Sequence, residues 1–182
     1  MTRTILNEGG WANGTVFVED RDGDRVVVKS YRAKNWLIRL LGSYLLARER
    51  KAYTRLKGIP GIPELKHDPD PLRLAIGFVD GERISNRRLA QNGDSVINSL
   101  RQVISDMHAR GVYHLDLRNQ GNVLVDNEDS CYLIDFASSL YTPPGSWRRR
   151  FLGPFAQRFD CYGFSKWENR ASDPSPGSDI EA

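Results

Sequence analysis

The residues from Tyr113 to Asp135, YHLDLRNQGNVLVDNEDSCYLID, set carboxylates, amides and a histidine beside two apolar runs. NVLV and CYLID read as strands joined by the polar turn DNEDS. Paired antiparallel with Val125 opposite Tyr132, they bring Asn122 opposite Asp135 at the open end of the hairpin. Directly opposed side chains have Cβ atoms about 5 Å apart. An amide oxygen and a carboxylate at that spacing are hard donors suited to Mg²⁺, which keeps waters and substrate phosphates as its other ligands. Asp116 lies just ahead of the first strand, where it can orient a hydroxyl nucleophile without binding the metal. Any one of these residues fits ordinary strand-end capping. The three together, at compatible spacing, favour a functional reading over capping.

The flanking sequence must position them. The first 30 residues read as strands: a short one, then the glycine-rich NEGGWANG, then TVFVED and RVVVKSY about an RDGD turn. Ser43 to Lys57 reads as a helix whose apolar stripe, Leu41, Leu45, Ala52 and Leu56, includes Glu49. A carboxylate on a buried face is costly unless a cation meets it, so this helix requires a basic partner. GIPGIPEL is a loop, LRLAIGFV a buried strand, and VDGERIS turns away from it. Asp94 to Arg110 reads as a second helix with Val96, Leu100, Val103 and Met107 on one face, Asp94 at its start and Gly111 at its end. The hairpin follows, then a short helical remainder and a polar tail, SDPSPGSDIEA.

Composition bounds the alternatives. A chain of 182 residues, 40% hydrophobic, makes one domain or two small lobes. No apolar run approaches the roughly 18 residues of a membrane span, and MTRTILNEGG has no apolar signal core. A cytoplasmic protein is expected. Cys131 and Cys161 form no metal pattern and are expected to be reduced core thiols. A net charge of +3 does not argue for nucleic acid, and none is expected as a partner. Between Tyr31 and Lys57, Arg32, Lys34, Arg39, Arg48, Arg50, Lys51, Arg55 and Lys57 face one acid, Glu49, and Arg148 to Arg150 sit among aromatics. Each cluster reads first as a solvated face, or else meets an anionic partner such as phosphate, acidic lipid or nucleic acid. A dinucleotide site would need a helix after the glycine loop, but strands follow. The histidines, His67, His108 and His114, are too scattered for zinc; His114 is expected to support the catalytic loop by hydrogen bonding.

HLDLRNQGNVLV followed by LIDFAS resembles the catalytic and metal-binding loops of the protein-kinase-like superfamily, as does the preceding MHARGVYHLDL. The resemblance spans roughly Ile5 to Ala137. It implies an α+β, two-lobed protein-kinase-like fold: a small antiparallel-sheet N-lobe over 1–80, a truncated, mostly helical C-lobe over 81–172, and a flexible tail over 173–182. It implies ATP and Mg²⁺ as cofactors, with Mn²⁺ as a substitute. Asp116 is then the catalytic base, Arg118 steadies the transferred phosphate, and Asn122 and Asp135 hold the metal. Lys29 resembles the lysine that clamps the phosphates, and Glu49 its ion-pair partner on a mobile helix. Gly9, Gly10 and Gly14 resemble the cover over the phosphates, and backbone groups near Gly77 and Val79 the adenine-binding hinge. The chain departs from the pattern at Trp11 and Ala137, carries one extra residue between Asp116 and Asn122, and has no Ala-Pro-Glu. The short form is similar to compact bacterial RIO-like and lipopolysaccharide-kinase-like proteins. The implied activity is transfer of the ATP γ-phosphate to a hydroxyl, protein Ser/Thr first and a lipid-linked sugar second, in the cytoplasm or at the inner membrane face. Alternatives are a non-catalytic ATP-binding scaffold and an ATP-hydrolysing switch. Asp160 is expected either to anchor the catalytic loop or to be a surface acid.

Overall fold

β-Branched runs punctuated by turns lead the chain, and they form a sheet. The computed structural model describes residues 3–8, 14–21, 23–143 and 145–173. Gly9, Gly10 and Trp11 of the glycine-rich segment and residues 174–182 of the tail lie outside the described residues. The protein is α+β, with an N-terminal antiparallel sheet followed by mostly helical structure. It divides into two compact units, Met1–Lys57 with Pro63–Phe78, and Gly58–Ile62 with Val79–Ala182.

In the first unit, β1 (Arg3–Asn7), β2 (Thr15–Arg21), β3 (Asp24–Ser30), α1 (Trp36–Leu56), β4 (Leu65–Lys66) and β5 (Arg73–Gly77) follow one another. The strands order as β1-β2-β3-β5-β4, all neighbours antiparallel. Phe17, Val28 and Ala75 are cross-strand neighbours, and with Val26 they form a buried cluster. Side-chain alternation sends Lys29 to the face opposite Val28.

α1 starts earlier than the Ser43 that periodicity suggests, because Asn35 caps it by accepting the Ile38 N–H at 3.0 Å. Its buried stripe is Ile38, Gly42, Leu46, Glu49, Ala52, Tyr53 and Leu56. Leu41 is exposed and Leu45 half-buried, so the true stripe is rotated from the expected one. The Tyr31 ring packs against Gly42 so closely that any side chain there would collide with it.

In the second unit, β6 (Gly81–Arg83), α2 (Asn86–Ala109), β7 (Val112–Tyr113), β8 (Val123–Asp126), β9 (Cys131–Leu133), β10 (Leu140–Tyr141) and α3 (Trp147–Ser172) follow in order. Gly81 to Arg83 is not a simple turn but an edge strand in the sheet β6-β8-β9; β7 pairs with β10. Ser85 caps α2, whose backbone leaves the helical region at Asn92. The expected Asp94–Arg110 helix is the part beyond this kink. Val96, Leu100, Val103 and Met107 are buried on its inner face. The remainder after the hairpin is not short: α3 runs for 26 residues.

The hairpin register differs from expectation by one residue. Leu124 pairs with Tyr132 and Val125 with Cys131. The Asp126 carboxylate accepts the N–H groups of Glu128 and Ser130, both at 2.9 Å, and Asp129 takes a left-handed φ of 62°. This closes the turn on Asp126 and Ser130, one residue tighter than strand pattern alone suggests. The Ile134 N–H donates to the Asn122 carbonyl at 3.0 Å, so Asn122 lies opposite Ile134, not Asp135.

Cys131 is buried and burial pushes its thiol up to about 12, whereas Cys161 is exposed rather than in the core. A thiol reagent at neutral pH should therefore modify one cysteine in the native protein and two after denaturation. Equal reactivity of both in the native state would contradict this packing.

Candidate active site

The loop from His114 to Asn122 in the second unit is held by α3. At the end of α2, Gly111 adopts a left-handed φ of 74°, and a Cβ there would collide with the Thr142 carbonyl oxygen. The chain then forms β7 and turns at His114-Leu115. Asp160, fully buried on α3, accepts the N–H of His114 at 2.8 Å and of Leu115 at 2.7 Å. His108 Nε2 lies 2.8 Å from the same carboxylate. A buried carboxylate with three partners is the arrangement that makes its burial tolerable. It also holds Leu115 at a φ of 64°, strained for a non-glycine residue.

Downstream, Trp167 Nε1 donates to the Leu117 carbonyl at 2.8 Å and Lys166 Nζ to the Arg118 carbonyl at 2.6 Å. A Cβ at Gly163 would come within 2.9 Å of Leu117, so only glycine lets α3 pass this close. Asp116 is thus presented by a loop whose backbone is fastened on both sides of it.

Asn122, buried, donates its Nδ2 to the Asp116 carbonyl at 3.0 Å and to Asp116 Oδ2 at 2.8 Å. The loop ends in a 3₁₀ turn, Gln120–Asn122, capped by Asn119. With the amide nitrogen engaged on Asp116, the amide oxygen is the group left to meet a cation. Asp135 is exposed, just past β9, with φ 62° and ψ 72°. That left-handed turn ends the strand alternation, so Asp135 is not assigned to a face by the register. Its Oδ1 accepts the Ala137 N–H at 3.4 Å. An amide oxygen such as that of Asn122 and a carboxylate such as that of Asp135 are hard donors of the kind a Mg²⁺ ion takes. No group of three or more His, Cys, Asp or Glu among the described residues forms a metal cluster.

His114 joins the two loops. Its Nε2 meets the Ile134 carbonyl at 3.0 Å, so that nitrogen carries the proton, and its ring packs 4.8 Å from Phe136. Burial pushes its pKa below the ordinary 6.5, against the opposing pull of the Ile134 carbonyl and the Asp160, Asp135 and Asp116 carboxylates. The unfolded chain therefore takes up a proton here more readily than the native one. This contribution to stability is complete above about pH 6.5 and is lost as pH falls below it. Unfolding free energies measured down to about pH 5, where most carboxylates remain ionised, should fall with pH in the wild type. The slope should be flatter in His114→Phe; an unchanged slope would show that His114 is not buried neutral.

In the first unit, Lys29 Nζ lies 3.2 Å from Glu49 Oε2. Glu49 is the only acid on α1 and is buried, so Lys29 is the cation its burial requires. Gly14 packs under the Tyr31 ring, where a Cβ would stand 3.0 Å from the ring edge. The Gly77 N–H is taken by the Glu64 carbonyl at 2.8 Å, leaving it unable to donate to a ligand, and the Phe78 N–H by the Arg25 carbonyl at 3.1 Å. The chain enters the second unit at Val79. Arg118 is exposed, its guanidinium 5.0 Å from the Tyr162 ring centre.

Sequence reasoning left Asp160 undecided and missed Lys166 and Trp167. The signal was present: Gly153, Ala156, Asp160, Gly163 and Trp167 form one buried stripe at helical spacing, with a carboxylate inside it. The same logic identified Glu49.

No family model matches the chain. It is similar to calcium-dependent protein kinase 27 of Arabidopsis thaliana, 26% identical over 113 residues, covering 54% of this chain and 23% of that protein. It is also similar to CBL-interacting protein kinase 9 of Oryza sativa subsp. japonica, 24% identical over 146 residues, covering 76% and 32%. The chain thus matches a quarter to a third of the length of these curated relatives. The likeness is distant and supports a protein-kinase-like relationship at most.

Proposed function

We propose that the chain is an ATP- and Mg²⁺-dependent phosphotransferase that moves the γ-phosphate of ATP to a hydroxyl, with protein Ser/Thr as the acceptor class. The observation that carries this reading is the Asn122 side chain bonded through its nitrogen to both the carbonyl and carboxylate of Asp116. In this reading the bonded pair would combine an amide oxygen able to take a metal with a carboxylate able to act as base, on a loop held by Asp160. The similarity to proteins named as protein kinases supports the same reading.

In this account Asp116 accepts a hydrogen bond from the acceptor hydroxyl and orients its oxygen toward the γ-phosphorus. Lys29, held by Glu49, neutralises phosphate oxygens, and Arg118 steadies the group in transfer. Asn122 and Asp135 would hold Mg²⁺, which neutralises charge on the phosphates when bound. Such catalysis rests on position and electrostatics rather than covalent chemistry.

Transfer from ATP to generic protein acceptors tests the proposal. Asp116→Asn should lower it by about 10²–10⁴-fold. A variant as active as wild type would remove Asp116 from the chemistry.

A further inference from the structure

A helix on a water-exposed unit ordinarily turns its large apolar residues inward. The first half of α3 does the reverse. Its buried positions there are Gly153, Ala156 and Asp160. Trp147, Phe151, Phe155 and Phe159 recur at every fourth residue with 53–69% of their surface exposed. At 3.6 residues per turn they fall within an arc of about 120°. A continuous exposed aromatic row of this kind marks a surface that something covers.

The charges on the same stretch specify what. Arg148, Arg149, Arg150 and Arg158 lie between Trp147 and Phe159, with no acid among them. Arg149 is engaged with the carbonyls of His108 and Ala109, both at 3.3 Å. Arg148, Arg150 and Arg158 are exposed. The partner is therefore apolar and anionic at once. A second copy of the chain meeting this face isologously would set arginine against arginine.

We propose that the outward face of α3 docks in the interfacial layer of an anionic lipid bilayer. No described helix is long and apolar enough to cross a membrane, so α3 lies on the surface. The rings enter the boundary between headgroups and acyl chains, and the arginine stems lie along the apolar surface with their heads among lipid phosphates. The first unit repeats the chemistry. Trp36, Leu37, Leu40, Leu41 and Tyr44 of α1 are 55–72% exposed, and the helix's only acid, Glu49, is turned inward.

The test is co-sedimentation of the full chain with phosphatidylcholine vesicles, with and without phosphatidylglycerol. Wild type should bind only the phosphatidylglycerol vesicles, and more weakly as salt rises. Phe151→Ser with Phe155→Ser should weaken binding at least about tenfold. Arg148→Glu with Arg150→Glu should weaken it by about fivefold or more for each arginine. All four residues are exposed, so melting temperatures should not change. The proposal is overturned if wild type stays in solution, or if only Leu37→Ser with Tyr44→Ser on α1 lowers binding. It is also overturned if the phenylalanine pair instead abolishes a concentration-dependent dimer. None of these readouts depends on phosphotransfer.

Discussion

Replacing Asp160 with alanine is expected to cost about 3–5 kcal/mol of folding stability and to abolish activity in whatever protein still folds. The carboxylate is fully buried and accepts from the His114 and Leu115 amides, with His108 Nε2 as its third partner. Alanine leaves those donors buried without an acceptor, each costing about 1–3 kcal/mol. It also frees Leu115 from a strained left-handed backbone, so the loop relaxes and Asp116 loses its position. Asp160→Asn keeps the shape but can offer only one oxygen, and should fall between the two. Chemical denaturation of the three proteins would show this order. An alanine variant as stable as wild type would mean that the loop needs no anchor.

Asp135→Ala is expected to lower Mg-ATP turnover by more than about 10³-fold with little change in melting temperature. The residue is exposed, so no packing is lost. Its φ of 62° is unfavourable for any side chain. Glycine would relieve that strain, so Asp135→Gly should be at least as stable as the alanine variant and equally inactive. A stable, active glycine variant would remove the Asp135 carboxylate from the chemistry.

The sequence and the structure agree where a local rule meets a long-range demand. Glu49 inside an apolar stripe required a cation, and Lys29 is there. The Val96–Met107 face of α2 repeats at helical period and is buried as read. The failures have physical causes. The hairpin register turned on a side-chain bond from Asp126 to two turn amides, which strand alternation does not contain. The start of α1 was hidden because Trp36, Leu37, Leu40 and Leu41 are apolar yet exposed, so periodicity pointed to the wrong face. The length of α3 was hidden for the same reason, and by Pro154 within it. Asp160 was legible as a buried acid only once Gly153, Ala156, Gly163 and Trp167 were seen to share its face.

The proposed activity stands on a metal–nucleotide site that uses Asp135. The direct measurement is the melting temperature of the wild type and of Asp135→Ala with ATP, with Mg²⁺, and with both. A ligand at 100 times its dissociation constant adds about 2.7 kcal/mol. The wild type should show a rise that needs ATP and Mg²⁺ together and is absent in Asp135→Ala. No rise under saturating ATP and Mg²⁺, or an equal rise in the variant, would contradict it.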